Sequence, residues 1–389
     1  MTEPHTDHPR SVKYTRLKGS ARNLPCWCGS GQKYKKCHGL LELAPAPSRT
    51  EVARIAQHLV SHRHAKCMHP QAGAACSSKI IKAHSVQRSG GLTRIALRGE
   101  VYYFRDTMRF MMNPAAALEP GLIGCKEASV FPGFCAYHDA RTFKPIDDQE
   151  FAATPEQVFL LAYRALSREF IGVQTRIDTF SETFKLLRGQ HGPQLEEKIY
   201  NATQNQLLID LNLRQLKPEK DLYDTLLLSA RFERLDHYII WLDRIPDILC
   251  SMYVQPWSDF AGNVVQPLPN PDGPWQSCAF SIVALDGAGA AVFSWVHDRS
   301  PAVLSFIRSL HHVADQRLTD SLIRFAFEYS DNVCLAPTWW QRLPPPAKKA
   351  LLRRFESGLM TDRHKDCLLE DAIKVADWKP SRRETNAYV

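Results

Sequence analysis

Fourteen residues near the amino terminus constrain the chain more than any other stretch: Cys26-Trp27-Cys28-Gly29-Ser30-Gly31-Gln32-Lys33-Tyr34-Lys35-Lys36-Cys37-His38-Gly39. Two close ligand pairs, Cys26/Cys28 and Cys37/His38, stand eight residues apart. Three thiolates and one imidazole make up the tetrahedral set that Zn²⁺ prefers, and four protein ligands leave no open position, so the site reads as structural. Gly29, Ser30 and Gly31 let the chain turn back on itself, because glycine accepts positive φ. A core this small holds only with its metal.

At 389 residues the chain exceeds what one core usually fills, and two or three domains are expected. Met1 to Arg22 is polar, with no apolar run that would read as a signal peptide. No stretch approaches the roughly eighteen apolar residues of a membrane span. A cytoplasmic protein without membrane insertion is therefore expected. Its 11 cysteines then read as metal ligands and buried thiols rather than disulfides.

The net charge of +8 is unevenly spread: residues 1–150 carry 22 Lys/Arg against 12 Asp/Glu, and residues 151–389 net −2. A basic, cysteine-rich first third is where a phosphate backbone would dock, so DNA or RNA is the expected partner. Solubility alone is the bland account of the same charge.

Periodicity and punctuation divide the chain into a flexible basic arm (1–23), a zinc motif (24–43), a zinc domain (50–150), a mixed helical α+β domain (151–345) and a basic carboxy-terminal helix and tail (346–389). The fold class is thus multidomain α+β. Helical patterns run over Glu51–His62, from Thr154 to about Arg188, over Gln194–Leu216 and over Pro218–Ile240. The third domain reads as mainly helical. One antiparallel hairpin interrupts it, Cys278–Leu285 and Ala290–Val296 around Asp286-Gly287-Ala288-Gly289.

A second ligand cluster lies in the zinc domain. Cys135-x-x-His138 has the spacing that lets two side chains face one ion, and Cys67 with Cys76 forms the other half. His69 competes with Cys67 for one position. Two structural zinc ions per chain are expected.

Residues 24–39 resemble the SEC-C zinc motif, a small module attached to many otherwise unrelated bacterial proteins. The resemblance implies a docking element for a protein, ribosome or nucleic-acid surface. Residues 67–145, with Ala83-His84-Ser85-Val86-Gln87 and Gly133-Phe134-Cys135-Ala136-Tyr137-His138-Asp139, resemble the treble-clef, ββα-metal finger of HNH nucleases, and also an uncharacterised bacterial family of HNH-like fingers. That resemblance implies His84 as general base, Cys67, Cys76, Cys135 and His138 as zinc ligands, and Asp139 at the contact to a catalytic Mg²⁺ or Mn²⁺. Asn113 matches the intermediate asparagine loosely. Arg88, Arg94, Arg98, Arg105 and Arg109 would meet flanking phosphates, since guanidinium geometry suits them.

Two departures from the HNH pattern stand out. Ala83 occupies the place of the usual acid or histidine before the base, and the interval from His84 to Cys135 is long. The expected function is a zinc-stabilised nucleic-acid-binding protein, as an HNH-like metal-dependent endonuclease or as a non-catalytic zinc-finger adaptor. Oligomeric state does not follow from the sequence.

Overall fold

Strands Ile248–Val254 and Gly289–Val296 are buried at every position, as strands covered on both faces must be. They belong to a larger sheet. The computed structural model describes residues 19–26, 31–37, 39–40, 44–61, 64–73, 75–77, 79–105, 107, 118–189, 193–270, 272–297, 300–359 and 364–389. In chain order the elements used below are α1 (Arg49–Ser61), β1 (Ile80–His84), β2 (Glu100–Tyr103), β3 (Gly121–Gly124), β4 (Val130–Cys135), α2 (Ala136–Thr142), α3 (Pro155–Leu186) and α4 (Pro193–Leu228). Then follow β5 (Leu235–Leu242), β6 (Ile248–Val254), β7 (Cys278–Ala284), β8 (Gly289–Val296), α5 (Pro301–His311), α6 (Asp315–Tyr329), β9 (Val333–Leu335), α7 (Pro337–Arg342), α8 (Pro345–Leu359) and β10 (Pro380–Thr385). No described helix is long and apolar enough to cross a membrane.

The chain forms two compact units: Met1–His62 with Thr175–Asn212, and Arg63–Gln174 with Leu213–Val389. The expected seam near residue 150 does not separate them. In the first unit, Ser48 Oγ accepts the backbone N–H of Glu51 at 3.2 Å and caps α1. Glu51 also pairs with Arg188 within that unit.

The second unit carries an antiparallel sheet of eight strands in the order β10-β5-β8-β7-β6-β9-β2-β3. The β7–β8 hairpin lies where the sequence places it, with Ala284 opposite Gly289. It is the middle of this sheet, however, and not an interruption in a mainly helical domain. Helix α4 ends at Leu228, and Leu235–Ile240, read as helical, lies in strand β5 (Leu235–Leu242). Its Tyr238, Ile239, Ile240 and Trp241 are β-branched or aromatic, residues that fit a pleated surface better than a helix. Ala230, at φ 51°, turns the chain between the two elements. The helical patterns on either side of Pro218 form the single helix α4. The tail expected after residue 346 contains α8 and then the edge strand β10.

One face of the sheet packs under α5 and α6 through an aromatic cluster. Phe280 and Phe293 have ring centroids 4.3 Å apart, and Phe325 lies 5.7 Å from Phe293 and 5.1 Å from Phe306. The opposite face packs Ile239, Ala290 and Val292 against Val158, with Leu161 and Trp241 at the margin. Val158 and Leu161 belong to the first turns of α3, which Thr154 caps by accepting the Gln157 N–H at 3.2 Å. Helix α8 crosses α6 so closely that a Cβ at Gly358 would meet the Glu328 carbonyl oxygen at 2.1 Å, which requires glycine there.

At the end of β5, Arg342 reaches Asp377 at 2.9 Å and Asp247 at 3.4 Å. Burial, then repulsion from Asp377, pushes Asp247 up to about 6. Folding thus raises its proton affinity. The resulting stability is fully present below pH 4 and lost as pH rises through about 6. Asp247→Asn should therefore raise the melting temperature at pH 8 by the equivalent of about 1–2 kcal/mol, discounted for partial exposure, and change it little at about pH 3.5. An equal shift at both pH values in thermal melts would contradict this.

Candidate metal centre

Strands β1 and β4 form a separate antiparallel pair, with Ile80 opposite Cys135 and His84 opposite Val130. Helix α2 begins directly after Cys135. The interval between the two strands is long because β2 and β3 leave to pair with each other and, through β2, with β9.

Cys135 caps α2, its Sγ accepting the His138 N–H at 3.5 Å. That turn brings the His138 ring over the thiol. His138 Nδ1 lies 3.3 Å from Cys135 Sγ, 3.4 Å from Cys67 Sγ and 3.6 Å from Cys76 Sγ. All four ligand atoms fall within 4.8 Å of one another. A tetrahedral zinc site has an N···S edge of about 3.6 Å, given Zn–S near 2.3 Å and Zn–N near 2.0–2.1 Å. The residues fit a closed zinc site with Nδ1 as the ligating nitrogen. Among the described residues this is one Cys₃His group, and Cys67 rather than His69 belongs to it.

His69 instead stacks flat on His138, centroids 4.1 Å apart, and its Nδ1 accepts the Gln71 N–H at 3.1 Å. Burial pushes the Cys67 thiol up to about 11. For Cys135 burial acts in the same sense, but hydrogen bonds from His138 and Ser77 prevail and bring it down to about 6, favouring the thiolate that a metal requires.

Residues of the body hold the Cys67 loop from behind. Lys220, almost fully buried, donates to the Met68 carbonyl at 2.8 Å and to Tyr163 Oη at 3.1 Å, and pairs with Asp224. Tyr163 Oη lies 2.7 Å from Asp224 Oδ1.

The described residues of the amino-terminal motif pair across it. Pro25 bridges to Lys33, the Cys26 N–H donates to Gln32 O at 2.6 Å, and Gly31 at φ 69° turns the chain. A single 3₁₀ turn, Tyr34–Lys36, leads to Cys37, whose N–H donates to Tyr34 O at 3.0 Å. Cys26 is buried and Cys37 half-buried. Cys28 and His38 lie outside the described residues.

His84, at the end of β1, is half-buried with Nε2 2.9 Å from the Cys125 carbonyl oxygen. Burial, then Arg88 and Arg164, lowers its pKa. The ring is neutral at pH 7, Nε2 carries the proton donated to Cys125, and Nδ1 keeps its lone pair. Asp139, in the first turn of α2, has a buried Oδ1 without a hydrogen-bond partner among the described residues. Burial raises its pKa, and Arg164 opposes that rise. Both His84 and Asp139 thus lie in the field of Arg164 and Asp147.

Arg164 was not singled out by the sequence. It is 2 % exposed, bidentate to Asp147 at 2.6 and 2.9 Å, with its guanidinium 4.0 Å above the Phe143 ring. The available signal was a charge inside the apolar run from Phe159 to Leu166. Arg88, Arg98 and Arg105 are exposed. Arg94 is committed inward, to Glu150 at 3.3 Å and to the Ala284 carbonyl at 3.0 Å. Arg109 and Asn113 lie outside the described residues.

Residues 22–40 match the SEC-C motif family, a match confined to that small module. No curated protein and no solved structure matches the chain significantly.

Proposed function

We propose that the chain is a zinc-stabilised protein acting on nucleic acid, with β1, β4 and α2 as an HNH-like ββα unit of treble-clef type and His84 as its general base. The observation that carries this reading is the hydrogen bond from His84 Nε2 to the Cys125 carbonyl. It fixes the ring and its tautomer and leaves Nδ1 to accept a proton from water, which then attacks a backbone phosphate. The unpartnered Oδ1 of Asp139 is a hard donor of the type Mg²⁺ or Mn²⁺ takes, and such an ion would neutralise charge on the phosphoryl oxygens. Residues 63–145 hold 12 Lys/Arg against five Asp/Glu, so the finger itself is basic. Arg88, Arg98 and Arg105 are then available to phosphates, as is Arg109 by sequence, while Arg94 is not. The SEC-C motif is read as a second docking element, closed by Cys26, Cys28, Cys37 and His38 around a second zinc.

A non-catalytic adaptor is the second reading, and Arg164 favours it. A buried guanidinium in electrostatic reach of Asp139 opposes a divalent cation there, and Ala83 supplies no second acid.

Gel assays with linear, supercoiled and single-stranded substrates separate the two. Binding should weaken steeply between 50 and 200 mM salt. Nicking that depends on Mg²⁺ or Mn²⁺ and disappears in His84→Ala, with zinc content unchanged, supports the endonuclease. Salt-sensitive retardation without cleavage by either protein selects the adaptor. No binding to any substrate defeats the nucleic-acid reading.

A further inference from the structure

A cavity of about 40 Å³ lies between the α3-facing side of the sheet and the segment that follows β1. Its floor is the directly opposed pair Ser251 and Ser281 on β6 and β7. These residues are 2 % and 3 % exposed, and neither hydroxyl has a hydrogen-bond partner among the described residues. Arg164 forms one wall, and its Nε is likewise buried without a partner. Three such groups around one cavity are costly, because each buried polar atom left unsatisfied loses about 1–3 kcal/mol. Nothing in the sheet requires hydroxyls at the two positions.

The chemistry of the missing partner follows from what is already engaged. Both carboxylate oxygens of Asp147 are taken by Arg164, so its Nε–H faces no protein acceptor. Each serine hydroxyl has a proton to donate. Ser85, Gln87 and Gln149 also line the cavity, Leu161 and Phe151 are among its apolar walls, and the ion pair Arg94–Glu150 stands at the more exposed end. Three donors beside apolar wall residues such as Leu161 and Phe151 match two acceptor oxygens on a short alkyl stem. The cavity is small, which favours a short stem.

We infer that this cavity is a binding site for a short-chain carboxylate, whose oxygens accept from Ser251, Ser281 and Arg164. The site shares Arg164 with the surroundings of His84 and Asp139, but its existence does not depend on the nuclease reading.

Isothermal titration of the zinc-loaded full chain with formate, acetate and propionate, and with acetamide as the neutral isostere, tests it. Acetate or propionate should bind, and acetamide at least about tenfold more weakly, since hydrogen bonds to a charged group are the stronger ones. Ser251→Ala/Ser281→Ala should lose that binding while melting no lower than wild type without ligand, because the deleted hydroxyls have no protein partner. The absence of carboxylate binding would overturn the assignment and leave ordered water as the occupant. Acetamide binding as tightly as acetate, or unchanged acetate binding in the double variant, would also overturn it.

Discussion

Cys135→Ala should release the ion of the Cys67–His138 cluster and unfold the β1–β4 pair together with α2, while the eight-stranded sheet stays folded. Cys135 holds three places at once: member of the candidate metal cluster, cap of α2 and last residue of β4. A closed zinc site contributes on the order of 10 kcal/mol to the segment it ties together, far more than two strands and one two-turn helix supply alone. Zinc content should fall by one equivalent per chain. Hydrogen exchange should accelerate in residues 64–84 and 130–147 but not in β6, β7 or β8. Cys125→Ala is the control: that thiol packs in the main core and should cost about 1–2 kcal/mol without loss of metal. Unchanged zinc content in Cys135→Ala would remove the cluster as a metal centre.

That ligand set was legible in the sequence because soft ligands at short spacing have few other uses in a reduced protein. The open choice between Cys67 and His69 was not, since both lie on one loop and only the ring stacking of His69 on His138 separates them. The large sheet was mostly hidden. Strands β2 and β3 are four residues each and read as part of the finger, yet Tyr103 pairs with Cys334, far along the chain. Such pairings leave no local periodicity. In Leu235–Leu242 the apolar spacing suits both periods, and β-branched and aromatic content was the better guide than spacing. Buried charge was the least legible feature. Lys217/Asp221 and Lys220/Asp224 are the same i,i+4 pair three residues apart, but one is more than half exposed on both sides and the other nearly buried at its lysine. No rule of helix spacing distinguishes them.

This difference makes Lys220→Met the second large effect. Methionine keeps the apolar stem but removes the ammonium that joins Met68 O, Tyr163 Oη and Asp224. Tyr163 has one proton to donate and two acceptors in reach, Asp224 at 2.7 Å and Met68 O at 3.2 Å, so one acceptor is left without a donor. Breaking a buried pair costs about 3–5 kcal/mol, and partial exposure of Asp224 lowers the expected loss to about 2–4 kcal/mol. Lys217→Met, at the exposed pair, should stay within about 0.5 kcal/mol. Because Met68 stands between Cys67 and His69, loosening its carbonyl also loosens one candidate ligand and the ring stacked on another. Zinc affinity should therefore fall about 10–100-fold, the usual effect of removing a group that orients a ligand from behind. Competition with a chromophoric chelator measures that fall, and denaturant titration measures the stability. Lost stability with unchanged zinc affinity would mean that Lys220 only ties α3 to α4 and does not position the metal loop.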